Sequence, residues 1–389
     1  MQKFIFHPGP ALKFGNGESS ALANIIKPWG DKFILVTGSQ SFVNLPYYQQ
    51  WLTNFAAIGL IYKHIIVKGE PRAAFINEQC RMLRNNDYKF VVAIGGGSVM
   101  DAAKAIAAMV TVDNDIENYL EGLPQYKQHP GTTLPLIALP TTAGTGSEAT
   151  KNAVISNPGI NGFKSSLRHD NFIPRLAIID PSLHVPCPAN VTAASGLDAL
   201  TQLIEAYTST QANTMTDTLA IEGISLCVRS LKKAALSGDN IEARSDMALA
   251  AYLSGVVLAN AGLGVVHGFA SSVASMFDIP HGVICGTLLG ESTRMNIKKA
   301  KILNNIIALS KFTNIGKVFA TESNKDDNWY LDFLVQQLNK LIDEFNIQKL
   351  GAYQVTSNDL QAISKLTKIK NNPVTLTQEE ILEIITSRT

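Results

Sequence analysis

The chain has 389 residues, 46% of them hydrophobic, which is too long for a single core and ample for two. Its 33 basic and 32 acidic residues nearly cancel, so no global field draws it to nucleic acid or an anionic membrane, and a small molecule is the natural partner. No run reaches the roughly 18 apolar residues of a membrane span, the first residues lack the build of a signal peptide, and Cys80, Cys187, Cys227 and Cys285 show no CxxC spacing. Free thiols in a reducing cytoplasm are therefore expected, and a thiolate metal site is not.

Residues 2–15 read as an extended segment interrupted at Pro8 and Pro10, in need of a sheet partner that another subunit could supply. Lys32 to Thr37 is a strand ending at Gly38-Ser39, followed by a helix through Trp51, Phe55 and Ile58. Tyr62 to Val67 is a strand closed by Gly69-Glu70-Pro71, and a helix then runs to about Asn85. The unbroken apolar run Phe90 to Ile94 is what a strand covered on both faces requires. Strands alternating with helices predict a parallel sheet that binds ligands at the carboxyl ends of its strands.

At that end of the Phe90 strand stands Gly95-Gly96-Gly97-Ser98, opening a helix through Ala107. Small residues let the backbone approach a phosphate, and the helix start offers unpaired N–H groups and a positive dipole end, so a pyrophosphate fits; the turn is not the six-residue GxGxxG fingerprint, and an unliganded tight turn is the plain alternative. Asp101 and Lys104 fall in the first helical turns, where either reads equally as surface charge. The strand Leu134 to Pro140 runs into Thr141-Thr142-Ala143-Gly144-Thr145-Gly146-Ser147-Glu148, a loop of small hydroxyl donors suited to phosphate, ribose or carboxamide oxygens. Residues 150–180 form a β excursion ending at Leu176 to Pro181, with Lys164 exposed within it.

From about residue 190 the pattern is helical, through Ala243 to Leu263, Leu303 to Val318 and Trp329 to Glu344, and the domain boundary falls near Val185. On one helix Asp198, Gln202 and Glu205 stand at i, i+4 and i+7 and share a face. His267 and His281 would be roughly 21 Å apart in one unbroken helix, but Pro280 and Gly282 should end the helix beside His281 and let the chain fold back. Asp198, His267 and His281 then converge in principle, a set suited to Zn(II) with an open fourth position or to Fe(II) as a facial triad. Read singly, each is as readily a cap or a satisfied core residue.

These motifs together resemble the iron-dependent (group III) alcohol dehydrogenases, relatives of glycerol dehydrogenase and dehydroquinate synthase. The resemblance rests on Gly95-Gly96-Gly97-Ser98 with Asp101 and Lys104, on Pro140 to Glu148, on Gly196-Leu197-Asp198-Ala199-Leu200, on His267-Gly268, on Pro280-His281-Gly282 and on Asn372-Pro373 before a last helix. It implies a dehydroquinate synthase-like fold: an α/β N-terminal domain with a parallel Rossmann-like sheet (1–185) and an all-helical metal and catalytic domain (186–389), the active site lying between them. It further implies that Gly96, Gly97 and Ser98 meet the cofactor pyrophosphate, that Thr141, Thr142, Thr145 and Ser147 meet the rest of the dinucleotide, that Lys164 meets the ribose, and that Gly95 and Asp101 also belong to the cofactor site. Asp198, His267 and His281 match three metal ligands. The fourth ligand position holds Gln202 where iron-dependent members carry His, and an amide oxygen is the poorer donor, so Zn(II) stands beside Fe(II). Ser271 replaces a further His of many alcohol-oxidising members. Gly38 and Ser39 occupy the strand end where NAD-preferring members tend to have Asp, so NADP is not excluded; the lean is to NADP with some use of both.

The implied reaction is metal-dependent hydride transfer between NAD(P) and a small alcohol or aldehyde, with Asp198, His267 and His281 at its centre, in a cytoplasmic homodimer. The rivals are a metal-free reductase like the maleylacetate reductases, a lyase like dehydroquinate synthase, which would need a Lys and Arg cluster near the ligands, and a nucleotide-binding module without turnover. Small apolar residues around Thr150 to Val154 and Ala259 to Phe277 point to a short aliphatic substrate.

Overall fold

The computed structural model describes residues 3–157 and 162–389; Gln2 of the N-terminal segment and residues 158–161 of the β excursion lie outside them. The strands are β1 (Ala11–Phe14), β2 (Lys32–Gly38), β3 (Ile61–Val67), β4 (Phe90–Gly95), β5 (Leu136–Pro140), β6 (Asn152–Asn157), β7 (Phe163–Arg168) and β8 (Leu176–Ile179). Six of them form one sheet in the order β1-β8-β5-β4-β2-β3, with every pairing parallel, while β6 and β7 make a separate antiparallel pair. β1 finds a sheet partner in β8 of the same chain and forms one edge of the sheet.

Helices α1 (Leu22–Ile26), α2 (Gln40–Val43), α3 (Tyr48–Ala57), α4 (Ala73–Leu83) and α5 (Gly97–Met109) cover the sheet. Alternation along the strands divides the work. Ile34, Val36, Val91, Ala93 and Ala138 pack on α4 and α5, while Phe33, Leu35, Phe90, Val92 and Ile137 pack with Leu22, Trp51 and Phe55 on the other face. The whole of β4 is buried, which is why it reads as a continuous apolar run. Register places Thr37 beside Ile94 and Gly95 beside Pro140, so the turns after β2, β4 and β5 lie along one edge.

The rest of the chain is helical: α6 (Ala189–Thr208), α7 (Thr214–Leu236), α8 (Ile241–Ala261), α9 (Val265–Met276), α10 (His281–Ile302), α11 (Ile306–Phe319), α12 (Asp327–Glu344), α13 (Ser357–Leu366) and α14 (Gln378–Thr386). Its main core joins α6, α7, α8 and α12 through Leu197, Leu203, Ile224, Leu231, Val257 and Leu334. The two halves meet backbone to backbone. Gly146, at φ +59° in the loop after β5, faces Gly255 of α8, and a Cβ on Gly255 would lie 2.2 Å from the Gly146 carbonyl oxygen. Only glycine allows that approach, and it carries the hydroxyl-rich loop onto the helical half.

Candidate active site

A cleft of about 1300 Å³ opens between the carboxyl ends of β4 and β5 and the helices α6, α9 and α10. On the sheet side it is lined by Gly96, Gly97, Ser98 and Asp101 of α5 and its entry turn, by Thr142, Thr145 and Ser147, and by Lys164. Gly95 and Thr141 stand behind this surface, the Thr141 N–H donating to the Gly95 carbonyl at 3.0 Å. Gly38 and Ser39 end the neighbouring strand β2, outside the cleft lining.

Three charged residues differ from the surface roles their sequence positions allow. Asp101 ties two loops together: it accepts from Ser147 Oγ at 2.7 Å and from the Val154 N–H at 3.1 Å. Lys104 is buried, donating to Thr150 Oγ1 at 2.9 Å and the Asn152 carbonyl at 2.7 Å, and burial pushes its pKa down to about 8. Lys164, expected to be exposed, keeps only 9% of its side chain accessible and pairs with Glu70 at 2.6 Å, at the wall of the same cleft.

Across the cleft, α6 carries Asp198 and α9 and α10 begin beside it. His267 lies in the first turn of α9, held in place because Asn372 Oδ1 accepts the Val265 N–H at 3.2 Å and Glu205 Oε1 accepts the Val266 N–H at 2.7 Å. The helix break comes earlier than Pro280 and Gly282 suggest: α9 stops at Met276, Pro280 caps α10, and His281 is the first residue of the new helix. Gly282 lies inside α10, where a Cβ would meet the Ala194 carbonyl at 2.5 Å; its absence lets α10 sit against α6. The two imidazole rings are 5.6 Å apart between centroids. Asp198 Oδ1 is 3.3 Å from His267 Nε2 and 3.6 Å from His281 Nε2. The three residues read from the sequence are thus brought to one point.

Gln202, one turn along α6, also lines the cleft, with its carbonyl oxygen accepting from Ser254 Oγ at 2.7 Å. Two further residues complete the site. Glu205 accepts from His267 Nδ1–H at 2.7 Å, which leaves Nε2 to face Asp198. Cys285, one turn after His281, puts its sulfur 3.6 Å from His281 Nε2 and 3.8 Å from His267 Nε2. The ligand atoms of Asp198, His267, His281 and Cys285 all lie within 4.8 Å of one another. The signals for both were spacings: i+7 from Asp198 and i+4 from His281, each one helical face.

Burial alone would lower the His267 imidazole, but the Cys285 sulfur and the Asp198 and Glu205 carboxylates outweigh it and hold it well above its usual range. Burial lowers His281, with Asp198 only partly opposing it. Burial would raise Asp198, yet His281 and His267 hold its carboxyl below the usual range. The Cys285 thiol is pushed up to about 12 by burial. A buried carboxylate with two imidazoles at 3.3–3.6 Å is an arrangement that favours a cation.

Two family models match the chain: "Iron-containing alcohol dehydrogenase" over residues 9–181 and "Fe-containing alcohol dehydrogenase family, C-terminal" over residues 192–389. Alcohol dehydrogenase 4 of Saccharomyces cerevisiae is 36% identical over 320 residues, 81% of this chain and 80% of the yeast protein. The crystal structure of a 1,3-propanediol oxidoreductase superposes with a TM-score of 0.88 at 27% identity, covering 100% of both chains. A sulfoacetaldehyde reductase from Bifidobacterium kashiwanohense, solved in complex with NAD+, superposes with a TM-score of 0.87 at 25% identity, covering 100% of this chain and 99% of the other.

Proposed function

The chain belongs to the iron-containing alcohol dehydrogenase family, and from that premise we propose that its cleft moves hydride reversibly between the carbinol carbon of a small alcohol and a nicotinamide dinucleotide, with Asp198, His267 and His281 holding one divalent cation. We take residues 1–185 as the dinucleotide half and 186–389 as the half that holds the metal. The observation that carries this reading is the convergence of Asp198 Oδ1 and two imidazole Nε2 atoms in the same cleft that the glycine turn of α5 enters.

The residues fit such an ion. Asp198 is 1% exposed and its Oδ1 has no hydrogen-bond partner among the described residues. Leaving a buried charged oxygen unpaired costs about 1–3 kcal/mol or more, which a cation would offset. One carboxylate and two imidazoles are a donor set common to Zn(II) and Fe(II). When bound, the cation supplies positive charge beside the reacting oxygen, favouring loss of its proton in oxidation and polarising the carbonyl in reduction.

The protein's own groups do the rest. Glu205 fixes the His267 tautomer and ring through the Nδ1–H bond. Gly96, Gly97 and Ser98, at the N-terminus of α5, bind the pyrophosphate, with Gly95 and Asp101 shaping the turn. Thr141, Thr142, Thr145 and Ser147 serve the remainder of the dinucleotide, Lys164 the ribose, and Gly38 and Ser39 the adenosine end. With no carboxylate in Gly38-Ser39-Gln40-Ser41 to repel a 2′-phosphate, we infer use of NADP as well as NAD, with a lean to NADP. Ser271 lines the cleft, its Oγ–H donating to the His267 carbonyl at 3.1 Å, and the alcohol proton would leave through Ser271, the cofactor ribose or water. A bound nicotinamide would accept the hydride and solvent the proton, so the oxidation would balance.

The substrate we infer is a short aliphatic alcohol or aldehyde, since Leu258, Leu263, Ala270 and Val283 face the cleft. Of the cations that line it, Lys368 and Lys370 are exposed while Lys164 and Arg168 are paired with Glu70 and Glu121, which is not the unpaired cationic cluster that a phosphorylated acid would need. We infer a homodimer, and a reducing compartment in keeping with free Cys80, Cys187, Cys227 and Cys285; among the described residues no single helix is long and apolar enough to cross a membrane.

The test is metal analysis of protein purified without chelator, then a panel of alcohols and aldehydes with NAD(H) and NADP(H). About one metal per chain and chelator-sensitive turnover are expected. Asp198→Asn should lower kcat/KM by more than the roughly 10–100-fold that loss of an orienting group costs. Turnover that chelator and Asp198→Asn both leave unchanged would point to the metal-free reductase instead.

A further inference from the structure

We propose that Cys285 is the fourth protein ligand of the cation, its thiolate standing in for the imidazole that Gln202 does not provide, and that this makes the site one for Zn(II) in preference to Fe(II). The inference rests on the metal-dependent reading above and adds to it a ligand and a metal preference.

The first observation is geometric. His281 and Cys285 are four residues apart on α10, so their side chains share a face one turn apart. The sulfur lies 3.6 Å from His281 Nε2 and 3.8 Å from His267 Nε2, while the Asp198 carboxylate oxygen lies 3.6 Å from His281 Nε2 and 3.3 Å from His267 Nε2. In a tetrahedral site with bonds of about 2.0 Å to nitrogen or oxygen and about 2.3 Å to sulfur, neighbouring ligand atoms are about 3.3 Å apart for N/O pairs and about 3.5 Å apart for N/S pairs. The four distances match those edges to within a few tenths of an ångström, and the four atoms come from three different helices.

The second observation is the unpartnered Asp198 Oδ1, on a side chain 1% exposed, aimed into the space that the sulfur and the two imidazoles enclose. A carboxylate oxygen buried without a donor among the described residues, and ringed by three other ligand atoms, marks the centre of a site rather than a packing contact.

The third observation concerns Gln202. Its carbonyl oxygen is already engaged by the Ser254 hydroxyl at 2.7 Å, and a neutral amide oxygen is in any case a weak donor to a transition metal. Thiolate is a soft donor that Zn(II) accepts readily, and a carboxylate, a thiolate and two neutral imidazoles balance the 2+ charge. The thiol proton passes to solvent as the sulfur–metal bond forms. Exchange of substrate then requires a fifth position, into which zinc sites can expand. His281, with 34% of its side chain open to the cleft, lies on the side from which substrate would enter.

The test uses the full-length protein loaded with one equivalent of Zn(II), and separately with Co(II). X-ray absorption at the zinc edge is expected to show one sulfur at about 2.3 Å with nitrogen and oxygen neighbours at about 2.0 Å, and the Co(II) protein a near-ultraviolet sulfur-to-metal charge-transfer band. In Cys285→Ala both signatures should vanish and zinc affinity should fall by more than the roughly 10–100-fold typical of losing an orienting group. Adding Gln202→His to that variant should restore affinity with a nitrogen and oxygen shell only. Should Cys285→Ala not fold, the wild-type spectra decide alone. Stoichiometric zinc without a sulfur neighbour would overturn this inference and leave the proposed function standing; failure to bind any cation at the site would overturn both.

Discussion

Glu205 shows how much a single side chain outside the ligand set controls. Both of its oxygens are used, one by the Val266 N–H that starts α9 and one by His267 Nδ1–H, so it fixes the helix and the imidazole together. Glu205→Gln keeps the shape and removes the charge. We expect metal affinity to fall about 10–100-fold with little change in far-ultraviolet circular dichroism, and equilibrium dialysis against a zinc chelator measures it. His184 supplies a prediction in pH. It is buried beside the turn into the helical half, donates to the Pro140 carbonyl at 3.0 Å, and burial pushes its pKa from 6.5 down to about 4. Below pH 6.5 the unfolded chain binds a proton that the folded protein refuses until about pH 4, so the stability present above pH 6.5 is lost as pH falls through that window. The loss reaches about 3 kcal/mol. Urea unfolding at several pH values should show that slope in the wild type and a shallower one in His184→Gln, where buried His129, its pKa likewise pushed down to about 4, still contributes.

At the scale of elements, the sequence is legible where periodicity and environment agree. The run Phe90 to Ile94 is apolar because β4 is buried on both faces, and the glycine turn after it opens α5 as expected. Asp198, Gln202 and Glu205 share a face of α6 because helical geometry admits nothing else. Less legible is what approaches an element from elsewhere in the chain. Lys104 looks like surface charge in a helical turn, yet the β6 backbone and Thr150 enclose it. Cys285 has no CxxC partner, and its companions are imidazoles on two helices. The loop after β5 gives the test at this scale. Gly255→Ala would set a methyl against the Gly146 carbonyl, 2.2 Å from its ideal position. Overpacking of this kind costs about 1–3 kcal/mol, and we expect a lower urea midpoint together with weaker cofactor binding, because the same loop carries Thr142, Thr145 and Ser147.

At the scale of the whole molecule, the cleft belongs to neither half alone: the glycine turn is carried by the sheet, and Asp198, His267, His281 and Cys285, the ligands we propose, by the helices. These residues come from α6, α9 and α10, so a cation held as we propose would cross-link three helices that thermal unfolding must separate. A ligand at 100 times its Kd adds about 2.7 kcal/mol of stability. We therefore expect Zn(II) to raise the melting temperature by about 3 °C and chelator to reverse it, with Asp198→Asn showing no such response in differential scanning calorimetry.

Short-range rules in the sequence are enough to say which runs are strands, where a glycine turn opens a helix, and that one aspartate and two histidines are candidates to hold a metal. Burial of a strand, the pitch of a helix and the donor chemistry of a side chain are written within a few residues. That β1 pairs with β8, that the helix break falls before Pro280, and that the sulfur of Cys285 sits among the imidazoles are all consequences of long-range packing. Each of these depends on which distant segment lies alongside at 3–5 Å, and that is fixed by packing of the complete chain, where close contacts such as Gly146 on Gly255 and Gly282 on Ala194 set the distances between helices.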